Sequence, residues 1–271
     1  MKNVHEFQDR ILSFYKNNKR DLPWRKTTNP YHIFLSEVML QQTQVPRVVE
    51  KYAQFIKVLP DFQSLASASL LEVLSLWQGL GYNRRALYLQ KSAQIILKKH
   101  GGIVPKTPAE LELLPGIGPA TARSIIVYSY NIPLVFIETN VRRTFIHHFF
   151  SDQKDVDDKD LYPYVELSLD TKNPKEWYWA IMDYGSYLGK NPPAGGENPN
   201  RKSAHYTKQS KFEGSLRQVR GKILKILLKK KSVSIKNLQQ ELPTQPEFLK
   251  KALKQLDDEG FININNRVVS F

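Results

Sequence analysis

Residues 113–122, Leu-Leu-Pro-Gly-Ile-Gly-Pro-Ala-Thr-Ala, place two prolines and two glycines between segments that carry helical periodicity. Pro115 cannot continue a helix, and Pro119 is pre-shaped to open one, so the pattern predicts two helices joined by a tight turn. Thr107-Pro108-Ala109-Glu110 opens the first helix as a capping box. Gly116 and Gly118 let a phosphate approach the main chain, and the N–H groups opening the second helix favour an anion. Such a turn would hold a nucleic-acid backbone without reading its sequence. A hairpin with a purely structural task has the same pattern.

Apolar residues recur at helical spacing through most of the first 190 positions, which predicts about ten helices and no sheet. Asn29-Pro30, Val45-Pro46 and Thr107-Pro108 mark helix starts. Gly79 and Gly81 separate one helical pair, and Gly101-Gly102 end a helix over 83–100. Residues 151–176 carry eight acids against four lysines and read as a solvated surface turned away from any polyanion. His147 and His148 offer no ligand set and read as ordinary helix residues.

The pattern changes near residue 190. Residues 190–213 are rich in Gly, Pro, Asn and Lys and read as a long loop. Helices are then expected at 215–230, 234–242 and 246–259, followed by a hairpin around Asn265-Asn266. Three helices and a two-stranded wing describe a small winged-helix-like α+β module over 214–271. Eleven Lys/Arg against one acid fall between 201 and 231, a density suited to phosphate contacts or to a solvated linker.

The whole chain has a formal net charge of +14, which favours a polyanionic partner. There is no cysteine, so disulfides, thiolate metal sites and iron–sulfur clusters have no ligands. No apolar run approaches the ~18 residues of a membrane span, and MKNVHEFQDR has no secretory core. The expectation is a cytoplasmic, nucleoid-associated monomer without membrane contact.

Leu114-Pro115-Gly116-Ile117-Gly118 resembles the helix-hairpin-helix of the endonuclease III-like DNA glycosylases, and Ile137-Glu138-Thr139-Asn140-Val141-Arg142-Arg143 follows at the family's spacing. LPWR (22–25), PYHIFLSEVMLQQTQV (30–45) and WQGLGYNRRA (77–86) are similar to the adenine DNA glycosylases of the MutY type, and the likeness is collinear over about residues 5–188. The resemblance implies a mainly α fold, with two helical subdomains and the active-site cleft between them. Residues 1–213 would form that core: a six-helix subdomain over about 24–133, a second from 1–23 and 134–189, and the basic loop 190–213.

Breaking an N-glycosidic bond in duplex DNA requires a flipped nucleotide, a protonated leaving base and a stabilised sugar cation, a labour that two carboxyls can divide. Glu37, set among Phe34, Leu35, Val38 and Met39, is the candidate general acid, since apolar surroundings keep a carboxyl protonated. The resemblance places the family's proton donor at the same residue. Glu138 stands where the family usually has Asp, and Asn140 matches a residue orienting that carboxylate. Trp24, Arg25 and Asp183 match the adenine pocket, while Gln42 and Tyr82 match residues that wedge into the duplex. Gly116, Gly118, Arg142, Arg143, Lys211, Arg217 and Arg220 complete the expected DNA-binding set. Bifunctional relatives carry a Schiff-base lysine where this chain has Ala120, so base removal without strand cleavage is expected.

Two departures stand out. The family's four cluster cysteines are missing, and Tyr187-Leu188-Gly189-Lys190-Asn191-Pro192 occupies their region. No side-chain metal site is expected, although the resemblance allows an alkali-metal ion on the hairpin carbonyls. The β-rich domain with which family members recognise 8-oxoguanine is also replaced by the short module. The leading expectation is a monofunctional adenine glycosylase acting on adenine opposite 8-oxoguanine or G in duplex DNA. A thymine or uracil glycosylase for G mismatches, and a catalytically weak protein binding distorted or abasic DNA, are the alternatives.

Overall fold

A computed structural model describes residues 4–192, 197–208, 210–242 and 244–271; four residues of the loop 190–213, and Gln209 within it, lie outside the described residues. The described chain is mainly helical. Its helices are α1 (Val4–Asn18), α2 (Pro30–Leu40), α3 (Val45–Val58), α4 (Phe62–Ser67), α5 (Leu70–Trp77), α6 (Arg84–His100) and α7 (Pro108–Glu112). There follow α8 (Pro119–Tyr130), α9 (Thr139–Phe149), α10 (Asp158–Leu167), α11 (Pro174–Lys190), α12 (Leu216–Lys230), α13 (Ile235–Glu241) and α14 (Pro246–Asp258). Three short strands, β1 (Ser232–Ser234), β2 (Asn263–Asn265) and β3 (Val268–Ser270), belong to the C-terminal region.

Many helix ends follow from local chemistry. Asn29 Oδ1 accepts the Tyr31 N–H ahead of α2, and Asp61 and Ser69 build capping boxes for α4 and α5. Thr107 caps α7 through the Glu110 N–H. Gly101 ends α6 in the left-handed region, where the N–H groups of Gly101 and Gly102 both reach back to Ile96 O, the second at 3.1 Å.

Backbone contacts divide the chain into two compact units. One comprises Met1–Glu37, Val104–Leu113 and Ile117–Lys208. Its core gathers Phe7 and Ile11 of α1 with Phe145 and Phe149 of α9 and Trp177, Tyr178 and Ile181 of α11. The other comprises Val38–Ile103, Leu114–Gly116 and Gln209–Phe271, with Phe55, Leu65, Trp77, Leu89 and Ile96 fully buried. The C-terminal module therefore groups with residues 38–103. Its helix α12 packs against α5.

Within the module, β2 and β3 pair antiparallel around Asn266 and Arg267, both at positive φ (49° and 62°). That two-residue turn suits the strand twist and lies one residue later than the sequence suggested. The strand β1 pairs with the other edge of β3, giving the order β1-β3-β2. Ser-Val-Ser is too short to show alternation, so no pattern announces this strand.

Candidate active site and DNA-facing residues

Burial of Ile33, Phe34, Leu35, Val38 and Met39 on α2 leaves Glu37 partly exposed among apolar neighbours. One turn into α8, Ser124 Oγ donates to Glu37 Oε2 at 2.6 Å. Burial raises the Glu37 pKa to about 7, against the opposing effect of the Ser124 hydrogen bond, and the charge on Glu138 adds to the rise.

Glu138 is the N-cap of α9. Its Oε1 accepts the N–H groups of Asn140 (2.6 Å) and Val141 (2.9 Å). Shorter side chains usually fill this role, so the longer Glu must double back onto the helix start. Burial raises its pKa, while the two backbone N–H groups and the Arg142 and Arg143 charges pull the other way. Asn140 Nδ2 lies 3.4 Å from Glu138 Oε2. Asn140 Oδ1 in turn accepts from Arg143 Nη1 at 2.9 Å, which also donates to Gly185 O at 2.7 Å.

This arrangement reaches beyond α11. Arg143 Nε donates to Asn198 Oδ1 at 3.0 Å, and Asn200 Nδ2 donates to Thr139 O at 3.1 Å. Residues 202–204 then bracket Val156 through two backbone hydrogen bonds. The close approach requires glycine: a Cβ on Gly185 would lie 2.4 Å from Asn140 O, and one on Gly189 would lie 2.6 Å from Arg143 Nη1. An iron–sulfur cluster has no fit here, because the chain offers no thiolate. Residues 198–204 instead form an ordered strap tied to the start of α9 and to Val156. Among the described residues no group of three His, Cys, Asp or Glu could hold a metal ion.

Trp24 is buried in a 3-10 turn, Pro23–Arg25. Arg25 and Asp183 come together, but with each other. Arg25 Nη1 and Nη2 donate to the two carboxylate oxygens at 2.8 Å each, and Arg20 adds its N–H (3.0 Å) and Nε (2.5 Å). Although burial opposes it, the two arginines hold the Asp183 carboxyl below its usual range. With four donors on a 1% exposed side chain, Asp183 has no acceptor free for a purine edge. It holds the Arg25 guanidinium, which lies 5.4 Å from the Trp179 ring.

The hairpin has the expected backbone. Gly116 sits at φ 77°, where a Cβ would lie 2.8 Å from Tyr88 Cδ2, and Gly118 is the N-cap of α8. Ala120 lies in the first turn of α8 and is partly exposed. The Gly116 and Pro115 carbonyls accept from Gln41 Nε2 (3.2 Å) and Ser92 Oγ (3.4 Å).

Gln42 and Tyr82 both stand at positive φ (53° and 47°), each at a loop tip. Buried Arg85 fixes both turns, donating to Val38 O, Met39 O and Thr43 Oγ1 on one side and to Leu80 O and Gly81 O on the other. Lys211 is exposed. Three expected phosphate contacts are engaged internally instead: Arg142 by Asp158 (2.7 Å twice), Arg143 as above, and Arg220 by Glu259 (2.7 and 2.5 Å). Charge density alone could not reveal partners 16 and 39 residues away. Ser124, Arg20, Asn198 and Asn200 had no sequence signal; Arg85 lay within the NRRA motif.

A family model described as HhH-GPD superfamily base excision DNA repair protein matches residues 35–162. The chain is 30% identical over 245 residues to an adenine DNA glycosylase of Mycobacterium tuberculosis, covering 82% of this chain and 79% of the relative. The chain belongs to the adenine DNA glycosylase family of this superfamily. An adenine DNA glycosylase of Buchnera aphidicola is 34% identical over 184 residues, 67% of this chain and 52% of the relative; the match thus spans about half that relative's length. A solved thermostable thymine-DNA glycosylase superposes with a TM-score of 0.64 at 22% identity, over 75% of this chain and 96% of that one. Its likeness establishes the helix-hairpin-helix glycosylase fold. The superfamily match takes in Glu37, the hairpin, Glu138 and Arg143, and ends before Asp183, the strap and the C-terminal module.

Proposed function

We propose that this member of the adenine DNA glycosylase family hydrolyses the N-glycosidic bond of a mispaired adenine in duplex DNA and leaves the strand intact. The observation that carries the reading is Glu37, with a pKa raised to about 7, in the same compact unit as a second carboxyl anchored on a helix start. As the C1′–N bond breaks, its electrons pass to the base and Glu37 delivers a proton to a ring nitrogen, so a neutral purine leaves. The Glu138 carboxylate offsets the positive charge that develops on the sugar. Water then adds at C1′ and loses a proton. Ala120 has no amine to attack that carbon, so no Schiff base forms and no strand cleavage follows.

Selection of the base falls to Trp24 and to Arg25, the latter held in place by Asp183. Gln42 and Tyr82 fill the space that the flipped nucleotide leaves. Gly116 and Gly118 take a phosphate, and Lys211 and the exposed lysines of the C-terminal module supply further charge. The protein works without an iron–sulfur cluster, and a visible absorption band from such a centre would contradict this. Adenine paired with 8-oxoguanine or G is the expected substrate, acted on by a monomer.

The test uses duplexes with single A·8-oxoG, A·G, T·G and U·G pairs, followed by hot alkali. Alkali-labile sites at adenine alone are expected, with no cleavage before alkali. Breaks at the pyrimidine would shift the substrate class, and tight binding with no labile site would remove the catalytic claim. Glu37→Gln should lower the rate by about 10²–10⁴-fold, the usual scale of general-acid catalysis.

A further inference from the structure

Tyr82 is held from two directions within one compact unit. Its backbone lies in the left-handed region, a conformation that is costly for an aromatic residue and persists only where surroundings impose it. Arg85, a close neighbour in sequence, supplies one restraint through the Leu80 and Gly81 carbonyls. The others come from the C-terminal module. Arg217 Nη1 donates to the Tyr82 hydroxyl at 2.7 Å, and its guanidinium carbon lies 5.6 Å from the ring centroid. Its second nitrogen is fixed by Ser210 O at 2.8 Å and Ser210 Oγ at 3.1 Å, so the fork cannot swing freely.

A second tie lies two residues further along the same loop. Arg84, the first residue of α6, pairs with Glu259 at the end of α14, and Arg220 of α12 grips the same carboxylate with two nitrogens. Both arginines hold the Glu259 carboxyl down at about 2, against the effect of burial. Thus α12 and the end of α14 reach the loop Gly79–Asn83 and the first residue of α6, while Tyr82 remains 36% exposed.

We propose that the C-terminal module is a clamp for this loop, with Arg217 and Glu259 as positioning residues that present Tyr82 for insertion into duplex DNA. The proposal rests on the reading of Tyr82 as a wedge. It gives the module a task other than added charge: it keeps an exposed aromatic ring in one orientation, so the ordering cost is met before DNA arrives. Two guanidiniums near the ring, those of Arg85 and Arg217, also surround it with positive charge, which suits entry between phosphate strands.

The test uses the full chain and a duplex carrying 2-aminopurine beside an A·8-oxoG pair, whose fluorescence rises when the neighbouring bases unstack. Arg217→Met keeps the aliphatic stem and removes the fork. It should lower kcat/KM by about tenfold and abolish most of the fluorescence rise. Tyr82→Phe should do the same, and the double variant should be no worse than either single one, a coupling of ~1.4 kcal/mol for that tenfold. Glu259→Gln should lower kcat/KM in the same sense, with a normal unfolding midpoint for Arg217→Met showing that the fold is intact. Additive losses from Arg217→Met and Tyr82→Phe would overturn the proposal and make Arg217 a separate phosphate contact. An unchanged fluorescence response in both Arg217→Met and Glu259→Gln would overturn it as well. The fluorescence rise reports unstacking and needs no base release, so failure of the clamp is distinct from failure of the glycosylase reading.

Discussion

Ser124 Oγ and Glu37 Oε2 are 2.6 Å apart, and the hydroxyl donates to the carboxyl proposed as the acid. A donor to a carboxylate stabilises its ionised form, so Ser124 works against the burial that raises Glu37. Ser124→Ala should therefore raise the Glu37 pKa further. Because the protonated form is the active one, the alkaline fall of the pH–rate profile should move to higher pH. Single-turnover rates between pH 5 and 9 would show it; a move to lower pH would mean that Ser124 acts on another group.

Glu37 also links activity to stability. Its folded pKa, about 7, lies above the ordinary carboxyl value of 4.5. The stability it contributes is fully present below the unfolded value and is lost as pH rises through 7. Gln in its place stays neutral throughout. Glu37→Gln should thus match the wild type below about pH 4.5 and exceed it by about 3 kcal/mol above pH 7, at ~1.4 kcal/mol per pKa unit. Urea unfolding at pH 4.5 and 8 measures the difference, and a stability deficit at pH 8 would contradict the burial argument.

Helix ends and the hairpin were legible because their causes are local: a cap, a proline and two glycines act within a few residues. The apolar surroundings of Glu37 were legible from its run of hydrophobic neighbours. What the sequence could not show were pairings across long separations. Arg142, Arg143 and Arg220 look alike as charges, yet Asp158, Asn198 and Glu259 give each an internal partner. Nothing in the sequence announces that Asp183 is taken up by Arg25 together with Arg20, 163 residues away.

That three-residue cluster carries its own prediction. Asp183 is buried between two guanidiniums, so Asp183→Asn would leave Arg25 and Arg20 short of their counter-charge. Losing one partner of a buried pair commonly costs about 3–5 kcal/mol; the partly exposed Arg20 points to the lower end. The folded carboxyl is held low, so its contribution is present above the unfolded pKa and fades as pH falls through the folded one. The gap between Asp183→Asn and wild type in urea unfolding should accordingly be full at pH 7 and narrow in strong acid.

Two glycines of α11 separate positioning from folding. At Gly185 a Cβ would meet the Asn140 backbone at 2.4 Å, where neither helix can give way cheaply. Gly185→Ala should destabilise the protein by roughly 1–3 kcal/mol or more, as overpacked sites do. At Gly189 the obstacle is the far end of the Arg143 side chain, 2.6 Å away, and a guanidinium can move. Moving it would release Asn140 Oδ1 and Asn198 Oδ1 together. Gly189→Ala should therefore leave the unfolding midpoint within a few degrees of wild type while lowering the single-turnover rate by about tenfold or more, since small displacements of a catalytic group are costly. Asn198→Ala removes one of those bonds without adding bulk and should lower the rate in the same sense but less. Equal activity of Gly189→Ala and wild type would show that Arg143 supports the fold of α9 without setting the Glu138 carboxylate.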